Sequence, residues 1–319
     1  MIRNDWTTEQ VLALLTSPWE ALKGMAKAAH AEYAATDVQQ CELLSVKTGG
    51  CPEDCGYCSQ SAHYKTPVKP EPLLSVDTVK TKASEARARG ATRFCLGAAW
   101  RDIPAENDAR FSRVLGMIEA VAAEAMEVCC TLGMATEGQL KKMKEAGLTA
   151  YNHNLDTSRE FYPEIVSTRT YDERLETLQA ARRAGVQLCC GGIIGMGEAE
   201  KDRAAMLAEL GRMTPHPESV PVNLLVPIDG TPMEPNQALP FESFLRTVAA
   251  ARVVMPKSRV RLSAGRNTLT AEQQLQCFEV GANSIFVGEK LLTADNVEMP
   301  TDQELLRRAA EQQSSVSAH

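Results

Sequence analysis

The chain has 319 residues, of which 44% are hydrophobic and 24% charged, and its formal net charge is −7. These are ordinary globular proportions, and an acidic chain without a Lys/Arg block argues against a nucleic-acid-binding surface. No apolar run reaches the roughly 18 residues that span a bilayer, and the N-terminus lacks a secretory or transit signal. We therefore expect a cytoplasmic protein with no membrane segment, in which the ten cysteines serve as metal ligands or catalytic groups rather than disulfides.

The predicted elements begin with helices over residues 5–36 and continue as strands that alternate with amphipathic helices. Capping boxes mark helix starts at Thr136, Thr170 and Thr270, and glycines mark helix ends at Gly90, Gly147, Gly185 and Gly281. Strands are predicted near residues 43–49, 93–100, 126–133, 150–156, 187–195, 219–227, 259–265 and 284–288.

Eight strand–helix units predict an α/β fold, a closed parallel (βα)8 barrel of the TIM type. The alternative is an open doubly wound sheet, but no GxGxxG follows the first strand. We predict an N-terminal helical extension over residues 1–38, the barrel over residues 39–300 and a short, partly disordered C-terminal tail over residues 301–319.

The first cysteine group lies directly after the first predicted strand. Cys51, Cys55 and Cys58 have the spacing C-x3-C-x2-C on a loop opened by two glycines. Three thiolates on one short loop can hold a four-iron cluster and leave one iron open to a small molecule. The alternative is a structural zinc loop completed by His63, although this placement fits no common zinc pattern.

The second cysteine group is spread over three predicted strands. Cys95 lies in the second strand, while doublets at 129–130 and 189–190 lie in the third and the fifth. Strand side chains alternate between faces, so one cysteine of each doublet points into the barrel, but alternation cannot say which. Isolated core cysteines are the plain alternative. Three cysteines on nearby strands of one barrel favour a second iron–sulfur site.

Two further strands carry polar side chains that a barrel lumen would have to accommodate. Arg259 and Arg261 share one face of the seventh strand, where they could neutralise an anionic group or form a salt bridge at the barrel rim. Asn152, Asn154 and Asp156 alternate in the fourth strand and are predicted to share a face suited to a ribose or a small polar ring, with His153 pointing away.

These motifs carry a resemblance to a known family. The C-x3-C-x2-C loop after strand one is the signature of the radical S-adenosylmethionine superfamily. The stretches CPEDCGYCSQSAHYKT, FCLGAAW, YNHNLDTS, SVPVNLLVPIDGTP and VRLSAGR resemble the biotin synthase family, in family order along nearly the whole chain.

The resemblance implies the cofactors and the residues that hold them. It assigns Cys51, Cys55 and Cys58 to a [4Fe–4S] cluster, and places S-adenosylmethionine and substrate against Tyr57, Asn154, Asp156, Arg174 and Asn223. It assigns a [2Fe–2S] cluster to Cys95, Cys129, Cys189 and Arg261. The first-of-pair choice within the two doublets rests on the resemblance alone.

The resemblance also implies an activity and partners. A 5′-deoxyadenosyl radical would abstract hydrogen from dethiobiotin, and the [2Fe–2S] cluster would donate the sulfur that completes biotin. A flavodoxin- or ferredoxin-type protein would supply electrons, and the chain would form a homodimer. The alternatives are another radical enzyme with a similar barrel, such as a hydrogenase-maturation or mutase-like relative, and a cluster-carrier or electron-transfer protein.

Overall fold

A closed parallel barrel forms the centre of the molecule. The computed structural model describes residues 2–288, 290–297 and 299–316. Within these residues the barrel strands are β1 (Gln39–Lys47), β2 (Arg93–Ala98), β3 (Glu127–Thr131), β4 (Leu148–Asn152), β5 (Gln187–Cys189), β6 (Gly192–Ile194), β7 (Ser219–Leu224), β8 (Arg259–Leu262) and β9 (Ser284–Phe286).

The order of hydrogen bonding closes this sheet on itself. It runs β5-β4-β3-β2-β1-β9-β8-β7-β6, and β5 also pairs with β7. β5 and β6 are two parts of one strand position, separated at Cys190 and Gly191. The predicted (βα)8 barrel is confirmed, with its fifth strand interrupted.

Helices surround the barrel, and their ends follow the local signals in the sequence. They are α1 (Thr8–Leu15), α2 (Trp19–Tyr33), α3 (Val76–Ala88), α4 (Ala109–Ala122), α5 (Glu137–Glu145), α6 (Tyr171–Arg183), α7 (Glu200–Arg212), α8 (Phe241–Val254), α9 (Ala271–Glu279) and α10 (Met299–Val316). The predicted capping boxes at Thr136, Thr170 and Thr270 all form. No helix in the described residues combines the length and the apolar character that a bilayer span requires.

Both ends of the chain pack against the barrel's helical layer. α1 and α2 contact α7 and α8 and bury Val11, Leu15 and Leu22. At the other end, Asp302 of α10 forms a buried ion pair with Arg266, at 2.5 Å between Oδ2 and Nη2. The predicted tail is helical as far as Val316 and buries Asp302, Leu305 and Ala309, and residues 317–319 lie outside the described residues.

Two strand boundaries differ from the prediction and matter for the site. β1 starts at Gln39 rather than near residue 43, so Cys41 belongs to the barrel. β4 ends at Asn152, and Asp156 adopts a left-handed backbone with φ of 67°. Asn154 and Asp156 therefore lie on the loop beyond β4, and the predicted strand face shared by three polar residues was wrong. They nevertheless reach the same cavity as Asn152.

Because side chains alternate between the two faces of each strand, the barrel has two separate apolar regions. The larger region lies between the barrel and its helices, and it contains Cys130 and Cys190. The smaller one lies in the barrel lumen, where cysteines occupy places that are usually taken by branched aliphatic residues. Its buried members are Cys41, Cys95, Cys129, Ala150, Cys189, Phe286 and Leu291.

Candidate active site

One cavity of about 360 Å³ joins both predicted cysteine groups. The loop that follows β1 contributes Cys51, Cys55 and Cys58 to its wall. The strands contribute Cys95, Cys129, Cys189 and Arg261 from inside the barrel, also as part of its lining. The cavity lies at the carboxyl ends of the strands, where enzymes of this architecture place their active sites.

Acidic side chains beside the first cysteine group fasten its loop to residues 167–169. The buried Glu53 carboxylate accepts hydrogen bonds from Arg101 at 2.9 Å and from Arg169 at 3.0 Å. Asp54 accepts from the backbone N–H groups of Ser167 and Thr168 at 2.9 and 3.1 Å. These bonds fix the loop that carries the three thiols against residues 167–169.

The environment of these thiols fits a metal cluster better than a zinc ion. Burial raises the pKa of Cys55 to about 12 and that of Cys58 to about 11, so both are protonated at neutral pH until a metal displaces the protons. His63 is exposed, with Nε2 at 3.0 Å from the carbonyl oxygen of Pro52. Among the described residues, no group of three or more His, Cys, Asp or Glu side chains is arranged for a single metal ion. The ligands of an iron–sulfur cluster lie farther apart than the ligands of a single metal ion.

The second cysteine group converges in the lumen. Cys95 and Cys129 are direct neighbours across β2 and β3, and Cys189 belongs to the same buried cluster in the lumen. Asn152 donates from Nδ2 to the Cys189 sulfur at 3.2 Å. The second cysteine of each doublet faces the helices instead, so the structure selects Cys129 and Cys189 where the sequence could not.

The two arginines of β8 have different environments although they share a strand face. Arg261 is 1% exposed, and its Nη1 lies 3.5 Å from the Cys189 sulfur. Its Nε donates to the Ser284 hydroxyl at 2.9 Å. Arg259 instead pairs with Asp37 at 2.9 Å near the surface. The salt bridge that we considered for both arginines exists only for Arg259.

Two orphaned polar atoms show that the lumen suits an anionic or metal-containing group. Arg93 is 3% exposed and donates from Nε to Glu127, but its Nη1 has no hydrogen-bond partner among the described residues. The buried hydroxyl of Ser219, opposite Cys189 in the barrel, also has none. Unsatisfied buried donors are rare in folded proteins. With two buried arginines beside three thiols, the donor set fits an iron–sulfur cluster that carries negative charge.

A buried polar network connects the first cysteine loop to the region beyond β4. The Tyr57 hydroxyl donates to Asp156 Oδ2 at 2.8 Å, and Arg174 pairs with the same oxygen at 2.7 Å. Arg174 also donates to the Tyr162 hydroxyl at 2.6 Å and to the Asn154 carbonyl at 2.7 Å. Three predicted contact residues, Tyr57, Asp156 and Arg174, are therefore one connected unit.

The remaining predicted contact residues line the cavity while also stabilising its backbone. The Asn154 side-chain oxygen accepts from the N–H of Gly191, and Asn223 donates to the Gly192 carbonyl at 2.9 Å. Both amides thus hold the interrupted fifth strand in place. His153 also borders the cavity, while its buried ring stacks on Tyr151 of the region between barrel and helices.

The sequence reasoning overlooked three residues of the site. Cys41 is fully buried in the lumen, Arg93 lies beside the thiols, and Glu53 anchors the first loop. Cys41 was missed because the predicted first strand started two residues too late to include it. Its separation of two residues from Leu43 would have placed it on the inner face.

Comparison with known proteins identifies the family. Residues 45–210 match the model of the Radical SAM superfamily, and residues 221–310 match that of the Biotin and Thiamin Synthesis associated domain. A biotin synthase of Sorangium cellulosum is 53% identical over 317 residues, which cover 99% of this chain and 90% of that protein.

Solved structures support the fold at much lower identity. Methylornithine synthase superposes with a TM-score of 0.76 at 18% identity, covering 98% of this chain and 96% of the other. The FeFe-hydrogenase maturase HydG of Carboxydothermus hydrogenoformans gives 0.79 at 17% identity, covering 95% and 74%. At such identities the rival radical enzymes share the fold alone, whereas the 53% relative shares most of the sequence. The chain therefore belongs to the biotin synthase family and is a radical S-adenosylmethionine enzyme.

Proposed function

We propose that the two thiol groups of this chain hold the two iron–sulfur clusters that convert dethiobiotin to biotin. Cys51, Cys55 and Cys58 would hold the [4Fe–4S] cluster. The [2Fe–2S] cluster would be held by Cys95, Cys129, Cys189 and Arg261. The single observation that carries the proposal is that both groups open onto one cavity from different parts of the chain.

When bound, the first cluster supplies the electron that cleaves S-adenosylmethionine to the hydrogen-abstracting 5′-deoxyadenosyl radical, and the second cluster supplies the sulfur. The protein's part is to orient the reactants and keep water out. The Tyr57–Asp156–Arg174 unit lies beside the first loop, where its fixed hydroxyl, carboxylate and guanidinium groups can hold S-adenosylmethionine. Asn154 and Asn223 lie where they can contact the substrate ring.

Charge in the lumen supports the placement of the second cluster. Arg93 and Arg261 are both buried, and burial alone would make each guanidinium costly. Although burial opposes the shift, the neighbouring charges of Cys41 and Cys189 raise the pKa of Arg261. Arg93, which is not one of the proposed ligands, would provide a positive charge beside the bound thiolates, and the thiolates would provide its counter-charge.

We propose that the chain divides as predicted, into an N-terminal helical extension over residues 1–38, a barrel over residues 39–300 and a tail from residue 301. The segment from residue 301 caps the barrel, because the Arg266–Asp302 ion pair and the buried Leu305 join it to the rest.

The external partners and the location are also proposals. Each cleavage of S-adenosylmethionine consumes an electron, so a flavodoxin- or ferredoxin-type donor is required. The family resemblance supports a homodimer, which light scattering of the purified chain tests. A cytoplasmic location is consistent with ten cysteines that are all free.

Separate roles for the two thiol groups can be tested with single variants. Cys58→Ala should abolish S-adenosylmethionine cleavage, whereas Cys189→Ser should retain much of the cleavage and end biotin formation. Cys190→Ser is the matched control, because this neighbour is equally buried but lies outside the lumen. The assay measures 5′-deoxyadenosine and biotin in the same anaerobic reaction under strong reductant. Equal loss of both products in Cys189→Ser would contradict the assignment.

A further inference from the structure

The lumen contains a fourth cysteine that neither the sequence reasoning nor the proposed ligand set uses. Cys41 is 0% exposed and belongs to the same buried cluster as Cys95, Cys129 and Cys189. It does not line the cavity, and Ser284 and Gln39 lie between it and Arg261, which does. The other unused cysteines of the chain face the helical layer instead.

A short chain of contacts joins Cys41 to Arg261. The Cys41 sulfur lies 3.5 Å from the Ser284 hydroxyl oxygen, and the same oxygen accepts from Arg261 Nε at 2.9 Å. Gln39 makes a second link, because its Oε1 is 3.6 Å from the Cys41 sulfur and 3.4 Å from Arg261 Nη2. Cys41 and Arg261 thus share two polar neighbours, Ser284 and Gln39.

Independent observations indicate that the space around Cys41 is prepared for a bound group. Arg93 on β2 is the register neighbour of Cys41 on β1. The buried Nη1 of Arg93 has no hydrogen-bond partner among the described residues. The Ser219 hydroxyl on the adjoining wall is equally buried and has no hydrogen-bond partner in the part of the chain that the structure describes. A lumen built only for packing would place aliphatic side chains at these positions.

We propose that Cys41 is a reserve thiol ligand of the second cluster, positioned to replace Arg261. This inference rests on the proposed function, since it assumes that Cys95, Cys129 and Cys189 hold that cluster. Thiolate sulfur is the usual protein ligand of iron–sulfur clusters. In the exchange, a sulfur–iron bond of Cys41 forms as the nitrogen–iron bond of Arg261 breaks. The proton that leaves the thiol passes to the freed guanidine, so no oxidant or reductant is needed.

The test compares the lifetime of the [2Fe–2S] absorption in the presence of a chelator after anaerobic reconstitution with iron and sulfide. In the wild-type background, Cys41→Ser should shorten the lifetime less than about twofold, because Arg261 completes the ligand set. In the Arg261→Met background, Cys41→Ser should shorten the lifetime of the [2Fe–2S] absorption by about tenfold or more. Mössbauer spectra should show both irons of the [2Fe–2S] cluster in four-sulfur environments in Arg261→Met, and only one of them in the double variant.

The control is a cysteine that lies outside the lumen. Cys277→Ser changes another fully buried cysteine, one that lies in the helical layer, and it should have no effect in either background. Equal effects of Cys41→Ser in both backgrounds, or loss of the cluster from Arg261→Met alone, would overturn the inference. If Arg261→Met does not fold, as judged by circular dichroism, Arg261→Lys takes its place. Absence of the cluster from the wild type would instead contradict the proposed function.

Discussion

The ion pair between Asp156 and Arg174 allows a quantitative test of the polar network at the site. Asp156 Oδ2 and Arg174 Nη2 are 2.7 Å apart, and the side chains of Asp156 and Arg174 are only 3% and 7% exposed. Asp156→Asn keeps the shape of the side chain and tolerates the left-handed backbone at this position. The substitution therefore removes the charge with little other change.

Removing one partner of a buried pair leaves the other charge uncompensated, which costs about 3–5 kcal/mol. For a chain of this size we expect the melting temperature to fall by about 5–15 °C. The measurement is thermal unfolding of the cluster-free chain by circular dichroism, with Arg174→Gln and the double variant completing a cycle. The double variant should be more stable than the sum of the single effects predicts, by about 2 kcal/mol.

A surface pair provides the matched control. Asp172 and Arg159 are also 2.7 Å apart, but their side chains are 76% and 48% exposed. Asp172→Asn should cost less than about 1 kcal/mol, because water screens this pair. If Asp156→Asn is no more destabilising than Asp172→Asn, or if the cycle is additive, the buried pair is not what holds the network together.

Three further predictions concern the barrel and its N-terminal extension. Gly191→Ala should destabilise the chain by about 3 kcal/mol, since an added Cβ would lie 1.9 Å from the Pro221 carbonyl oxygen. Gly24→Ala, in open space within α2, should instead stabilise it by about 0.5–1 kcal/mol in the same melting assay. Burial lowers the pKa of His30 from 6.5 to about 4, so the unfolded chain binds a proton between these values that the folded chain does not. Stability should fall by about 1–2 kcal/mol as the pH drops through this window, after allowing for partial exposure. His30→Gln should lose that part of the pH dependence in urea titrations, and an unchanged dependence would contradict the assignment.

Much of the fold could be predicted because its signals are local. The capping boxes and the helix-ending glycines formed as expected, since each depends on contacts within a few residues. The first cysteine loop could be recognised for the same reason: three ligands within eight residues must lie close together. Strand boundaries were less accurate, and the error at β1 concealed Cys41.

The residues alone indicate that strand side chains alternate, that one cysteine of each doublet faces inward, and that one short loop carries three thiols. Tertiary packing was needed to establish which cysteine of each doublet faces the lumen, and that Cys41 and Arg93 join them there. It also placed Asp156 beside Tyr57 and Arg174 through a left-handed residue beyond β4. The physical reason is that alternation fixes the period of a strand but not its phase. The phase is set by hydrogen-bond register when eight strand positions close into a barrel.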